Sequence, residues 1–225
     1  MKFKNIYILV PAFNESKVIR KTLEELLLEF SNVVVVNDGS SDNFNESTEG
    51  LNIKVLNHEI NLGVGAAVQT GFEYVCKKPL AHAVITFDAD GQHSVYDAVS
   101  IAEAINKSSE GIIFGSRFIE HHNNIPFIKR IVLMIIAKIT TFVTGVNLTD
   151  AHNGLKAYKV NTIKELDLKF SGYSYESELI KEVSLKNISY KEISTDVKYT
   201  NYSISKGQKL SDGLLILEDL LKLWK

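Results

Sequence analysis

The chain has 225 residues, 45% of them hydrophobic and 23% charged, and a formal net charge of -2. That composition supplies the core of one large domain, and its weakly acidic balance gives no electrostatic case for nucleic acid as a partner. A lone cysteine, Cys76, excludes an internal disulfide framework and a cysteine-rich zinc site, and its place in the apolar pattern suggests a buried thiol.

Residues 6–10 are β-branched and apolar and predict a strand; Pro11 and Asn14 follow at once, so no targeting leader is expected. From Ser16, a suitable N-cap, Val18, Leu23, Leu26, Leu27 and Phe30 recur at helical spacing. Residues 33–36 predict a second strand, stopped by the turn formers 37–42. A third strand is expected over 52–56, a helix over 65–75, a central strand over 83–87, a helix over 95–105 and a strand over 111–114. This order predicts an α/β fold: a mostly parallel central sheet with helices on both faces. Ligands bind such sheets beyond the carboxyl ends of the strands, and the polar clusters 11–15, 37–42 and 88–93 all follow strands directly.

The second half is less regular. Residues 126–144 predict one or two amphipathic helices, 149–154 a loop, 155–158 a strand, 177–186 a helix and 188–199 a strand. A polar segment, 200–209, then precedes a final helix over 211–225. The apolar stretch 125–146 is broken by Lys129, Arg130 and Lys138, and its unbroken part falls short of the ~20 residues that span a bilayer. The expectation is a cytoplasmic chain that meets a membrane only at its surface.

The chemistry concentrates in AVITFDADGQH, residues 83–93. A buried strand delivers Asp88 and Asp90, whose alternate spacing can turn both carboxylates to one site, where they suit a divalent cation held against phosphate oxygens. A solvated turn is the plain alternative. The loop 11–15 could face a nucleotide from the start of a helix or be a simple helix entrance. Asp38 could accept hydrogen bonds from a base or ribose, or cap its own turn. Gly63 and Gly65 form a G-x-G, but it follows the third strand and lacks a third glycine, which argues against a dinucleotide fingerprint. Arg117 closes another strand, and with Arg130 it could bind phosphate through the planar guanidinium; Lys129 reads as surface charge. Asp150, His152 and Asn153 could be an acid/base or ligand set, or a capped loop. His58, His82, His121 and His122 read as structural or solvated.

Eight pieces in chain order carry a resemblance: residues 11–15 (PAFNE), 36–42 (VNDGSSD), 61–65 (NLGVG), 88–93 (DADGQH), 115–118 (GSRF), 150–154 (DAHNG), Glu178, and 199–208. The chain resembles the family 2 glycosyltransferases, in the branch similar to dolichyl-phosphate mannose synthase and small bacterial cell-surface polysaccharide transferases. The resemblance implies a Rossmann-like GT-A fold in one domain, 1–225. Within it, 1–118 would be the nucleotide-sugar half, 119–210 the acceptor side and 211–225 an amphipathic helix. It implies metal-dependent, inverting transfer from a UDP- or GDP-sugar to a polyprenyl phosphate or lipid-linked saccharide. Pro11, Ala12, Asn14, Glu15, Asp38, Gly63, Asp88 and Ala89 would bind the nucleotide sugar. Asp88, Asp90 and Gln92 would hold Mg2+ or Mn2+. Arg117, Arg130 and Lys206 would hold an acceptor phosphate, and Asp150 or Glu178 would be the base if the acceptor were a hydroxyl.

Many members of that branch carry C-terminal transmembrane helices, and the sequence shows none. The last helix could pack in the core, or dock on a membrane or a small membrane subunit. Other readings are a non-catalytic nucleotide-sugar-binding subunit and a magnesium phosphohydrolase, although the latter usually carries its acid pair on the first strand. The G-x-G-T-R loop of a nucleotidyltransferase is not found.

Overall fold

The computed structural model describes residues 3–120 and 125–197. The elements in chain order are β1 (Ile6–Ala12), α1 (Ile19–Glu29), β2 (Val33–Asp38), α2 (Phe44–Thr48), β3 (Lys54–His58), α3 (Val64–Cys76) and β4 (Ala83–Thr86). They continue with α4 (Val95–Lys107), β5 (Ile112–Ser116), α5 (Phe127–Thr144), β6 (Lys156–Lys159), α6 (Val160–Glu165), α7 (Tyr175–Leu185) and β7 (Tyr190–Ser194). Among the described residues, seven strands form one sheet in the order β3-β2-β1-β4-β6-β5-β7. β1 pairs parallel with β2 and β4, β2 with β3, and β5 with β7; only β6 runs antiparallel, between β4 and β5.

Strands buried on both faces read as continuous apolar runs, and β2 is buried along its whole length. Alternate residues feed two cores. Ile8, Val10 and Ile85 pack with Leu23 and Leu26 of α1 and Ile101 and Ile105 of α4. Leu9, Val34, Val36 and Val84 pack with Val68 and Phe72 of α3 and Leu179 and Val183 of α7. Cys76, expected to be buried, is only partly so, and that burial pushes its thiol pKa up.

Several boundaries differ from expectation for local reasons. α1 starts at Ile19, and Ser16 is not its cap: the Ser16 N–H donates to Asp42 Oδ2 at 2.8 Å, tying the loop after β1 to the loop after β2. Ser94 does cap α4, its Oγ accepting from Asp97 N at 3.1 Å. The short helices α2 and α6 were too brief for periodicity to reveal. Strand order reverses between β1, which leads back to β2, and β4, which leads on to β6. Binding sites of open α/β sheets form at such a switch point, and the loops at Asn14 and Asp88 leave from it. Lys206, the segment 199–208 and the helix expected over 211–225 lie outside the described residues.

Candidate active site

Asp88 and Asp90 leave the end of β4 in a turn with Gly91 at φ 74°. Ala89 between them buries its methyl in the core, so its side chain faces away from the site and only its backbone can serve a ligand. His93 Nε2 lies 3.1 Å from Asp88 Oδ2, and the imidazole packs edge-on against Phe87. Gln92 holds Asp90 twice, its backbone N–H donating to Oδ1 at 3.0 Å and its side-chain amide donating to Oδ2. That places Gln92 first as the residue that orients Asp90.

The two acids are pushed in opposite directions. Burial would raise Asp88, but the His93 hydrogen bond and the charges of His93, Lys156 and Arg117 outweigh it and hold the carboxyl below its ordinary range. Asp90 is raised, first by burial and then by the negative charge of Asp88. A pair of neighbouring carboxylates, one ionised and the other resisting ionisation, is relieved by a divalent cation. The Asp88 side chain remains 42% exposed and can reach such an ion. Among the described residues, no group of three or more His, Cys, Asp or Glu side chains could cage a metal alone. The pair fits the arrangement in which one or two carboxylates and substrate phosphates share a magnesium-type ion.

Gly154 supports this arrangement from β6's approach. A Cβ at this position would lie closer than 3.0 Å to both oxygens of Asp88. Gly154→Ala is therefore expected to displace the Asp88 carboxylate and weaken Mn2+ binding about tenfold or more. Mn2+ titration followed by electron paramagnetic resonance checks this; wild-type affinity in the variant would remove Gly154 from the metal side.

At the loops after β1 and β2, Asn14 adopts a left-handed conformation, φ 56°, and locks the two loops together. Its N–H donates to Ser40 Oγ at 3.0 Å, and its Oδ1 accepts from Ser41 N at 2.8 Å. The Glu15 carbonyl accepts from Val18 N and Ile19 N, opening α1. Pro11 is half-buried at the end of β1, whereas the Ala12 methyl is core. Asp38 is engaged internally: Oδ1 meets His58 Nδ1 at 2.6 Å and Leu62 N at 2.9 Å, and Oδ2 accepts from Gly63 N at 2.8 Å. His58, read from the sequence as structural or solvated, is structural; its Nε2 reaches Thr70 Oγ1 at 2.9 Å. The Gly63 N–H is thus spent on Asp38. The G-x-G is needed for another reason: Cβ atoms at Gly63 or Gly65 would collide with the backbone at Phe170 and Ser171. The glycines admit the chain's own loop.

Beyond β5, Arg117 and Asp150 form a buried bidentate pair. Arg117 Nε donates to Oδ2 at 2.5 Å, a terminal nitrogen to Oδ1 at 2.7 Å, and the backbone N–H to Oδ2 at 3.1 Å. Asp150 is 1% exposed. Burial alone would raise its pKa, but the Arg117 charge and hydrogen bonds hold it below the usual carboxylate range. Such a carboxylate is a poor proton acceptor, and its hydrogen bonds hold the Arg117 guanidinium in place. Glu178 is likewise committed, Oε2 accepting from Lys169 N and Phe170 N at 2.9 Å each.

The two neighbouring cations of α5 differ in burial. Arg130 is exposed, whereas Lys129 is half-buried. The Lys129 pKa is lowered by burial and then by the Arg117 charge, and raised by Asp90 and Asp150, which places it among the site's charges.

The sequence reading also missed a buried base beneath the site. Lys156 of β6 is fully buried and paired with Glu176 of α7. Its charge acts on Asp88 and on His152, whose pKa falls to about 4, first through burial. A lysine inside a strand as short as β6 was the available signal.

Residues 7–167 match the model of the family described as glycosyl transferase family 2. The chain is 30% identical to UDP-N-acetylglucosamine--dolichyl-phosphate N-acetylglucosaminyltransferase of Methanococcus voltae, over 99% of this chain and 97% of that protein. It is 25% identical to undecaprenyl-phosphate mannosyltransferase of Micrococcus luteus, over 76% of this chain and 74% of that one. Among solved structures, glucosyl-3-phosphoglycerate synthase of Mycobacterium tuberculosis, in complex with Mn2+, UDP and phosphoglyceric acid, superposes with a TM-score of 0.73. That likeness covers 98% of this chain and 78% of the other at 14% identity, and it shows the GT-A fold. With its match over residues 7–167 and a relative 30% identical over nearly full length, this chain belongs to glycosyl transferase family 2 and is a glycosyltransferase.

Proposed function

We propose that the protein transfers a sugar from a UDP-sugar to a polyprenyl phosphate, with inversion at the anomeric carbon and with Mg2+ or Mn2+. The observation that carries this reading is the meeting of the Asp88–Asp90 pair with Arg117 and Lys129, which provides anion-holding groups beside a cation site. Asp88 and Asp90 would hold the metal, which when bound neutralises charge on the leaving diphosphate. The loops at Pro11, Asn14 and Glu15 frame the nucleotide, and Asp38 shapes its edge through the turn at Gly63. An acceptor phosphate oxygen forms the new bond to the anomeric carbon as the bond to the diphosphate breaks. Arg117, fixed by Asp150, and Lys129 hold that phosphate.

The state of the candidate bases favours this acceptor over a saccharide hydroxyl. A phosphate is already anionic and needs little deprotonation, whereas a hydroxyl needs a base. Asp150 and Glu178 are both committed elsewhere. A hydroxyl-bearing lipid-linked saccharide is therefore the second reading, and GDP-sugars are the second donor class. The relatives' names give the donor and acceptor for the first assay. The phosphohydrolase and non-catalytic readings have nothing in their favour among the relatives, and nothing supports a small membrane subunit. Attachment at the cytoplasmic face of the membrane follows from the acceptor and belongs to this proposal.

The test is transfer of labelled sugar from UDP-N-acetylglucosamine and other UDP- and GDP-sugars to polyprenyl phosphate, with Mn2+ or with chelator. A parallel thermal-shift panel reads donor binding by mass action. Metal-independent transfer, or a donor without a nucleoside diphosphate, would overturn the reading. Lys129→Ala is expected to raise the acceptor KM about tenfold or more with little change in donor KM, whereas Arg130→Ala should leave both within about twofold. Initial-rate kinetics in both substrates decide, and equal effects of the two changes would reject this role for Lys129.

A further inference from the structure

We infer that Glu192 of β7 is a positioning residue for the acceptor. Through the loop before β6 it fixes the Arg117–Asp150 pair where that pair meets the acceptor phosphate. The identity of the acceptor rests on the function proposed above; the hydrogen bonds that carry this role do not depend on it.

The connection from α5 to β6, residues 145–155, has no regular structure, so its buried N–H groups need partners from elsewhere. The edge strand β7 supplies them. Tyr190 and Glu192 are alternate residues of that strand and share one side of it. The Tyr190 hydroxyl accepts from Asn147 N at 2.9 Å. Glu192 Oε1 accepts from Thr149 N at 2.9 Å, Thr149 Oγ1 at 3.0 Å and Asp150 N at 3.2 Å. Its Oε2 accepts from Thr149 N at 3.0 Å. Just past the strand, Thr195 Oγ1 accepts from Asn153 Nδ2 at 3.0 Å. The loop is hung on β7 along most of its length.

Of these attachments, the one at Glu192 bears on the site. Its carboxylate holds the backbone of Asp150, and the Asp150 side chain in turn holds Arg117 through Nε, a terminal nitrogen and the backbone N–H. Consecutive N–H groups aimed at one carboxylate form a cradle for an anion, and such charge-assisted bonds are about twice as strong as neutral ones. Thr149 ties the same place to β5, its Oγ1 lying 2.6 Å from Ser116 Oγ, next to Arg117. A backbone shift at Asp150 is therefore carried straight to the guanidinium. Misplacing a group at a reaction centre by about 1 Å can cost as much as a hundredfold in rate. Glu192 acts through Asp150 and Arg117, not on the substrate.

The experiment compares Glu192→Ala and Glu192→Met, which remove the acceptor oxygens without and with the side chain's bulk, against Glu192→Gln and Tyr190→Phe. Glutamine keeps an acceptor at Oε1, and Tyr190→Phe loosens the same loop at Asn147, away from Asp150. The alanine and methionine variants should raise the KM for polyprenyl phosphate about tenfold and leave the donor KM within about twofold. The glutamine and phenylalanine variants should keep both KM values within about threefold. A second readout needs no turnover. The chain has three arginines, Arg20, Arg117 and Arg130, so the Arg117 Nε–H can be followed by nitrogen NMR. Its exchange with solvent should quicken about tenfold or more in the alanine and methionine variants alone. Thermal melts and donor-induced shifts show that each variant is folded, and either of the first two suffices if the other is not. Wild-type acceptor KM and exchange in those variants would overturn the inference, as would equal effects on donor and acceptor KM. A glutamine variant as damaged as the alanine one would overturn it too, because charge and not hydrogen bonding would then be at work. The expected exchange pattern in a protein that transfers no sugar to polyprenyl phosphate would reject the proposed acceptor alone. Transfer with unchanged exchange and acceptor KM would reject the role of Glu192 alone.

Discussion

An Asp90→Asn variant is expected to lose sugar transfer by about a thousandfold while its melting temperature holds or rises slightly. The loss follows from removing one of the two charges that would hold the metal, at the point where negative charge develops on the leaving group. The stability effect has the opposite sign for a simple reason. Burial and the charge of Asp88 raise the Asp90 pKa in the folded state. A carboxyl raised on folding favours the fold at acid pH and loses that advantage as pH rises through its folded value. At neutral pH its ionised form is a net cost, which a neutral asparagine avoids while still accepting from the Gln92 N–H. Activity assays and thermal melts at neutral pH check both halves. Transfer within about tenfold of wild type would remove Asp90 from the reaction centre.

Asp150→Ala is expected to do the reverse, destabilising the protein by about 3–5 kcal/mol because it strands the buried Arg117 guanidinium without its partner. For a chain of this size that corresponds to a fall in Tm of roughly 6–20 °C. Replacing both partners by leucine and methionine should recover much of the stability but none of the transfer, because the guanidinium would be gone. The pH dependence has a definite sign. Asp150 is depressed in the fold, so its contribution is present above the ordinary aspartate range and is lost as pH falls through its folded value. His152, depressed to about 4, adds to this, since the unfolded chain takes up its proton between about pH 6.5 and 4 while the folded one resists. Melts of wild type and Asp150→Ala from neutral to acid pH should therefore converge as pH falls. A constant difference would show that the pair's charge is not what stabilises.

The fold was legible because its strands are apolar and β-branched and each is followed by turn residues, so existence and order could be read even where ends could not. The antiparallel insertion of β6 could not be read, because pairing partners are set by packing across the sheet and not by local pattern. The acid pair was legible for a similar reason: spacing by two puts Asp88 and Asp90 on one side and Ala89 on the other. Roles that depend on a distant partner were not. Nothing near Asp150 shows that its partner is Arg117, 33 residues earlier. Nothing near Gly63 shows that Ser171 will press against it. The partial burial of Lys129 beside an exposed Arg130 depends on the phase of α5, which its uncertain start concealed.

The place of β6 has a consequence for how the molecule comes into being. A nascent chain emerging from the ribosome can lay down β3, β2, β1 and β4 side by side, but β5 has no neighbour among them. It must wait, with both edges open, until β6 arrives some forty residues later and inserts between β4 and β5. Unpaired strand edges of this kind invite sticking between chains. The division near residue 118 is thus a poor place to cut the gene for expression: a fragment ending there should aggregate, whereas one running past β7 can close its sheet.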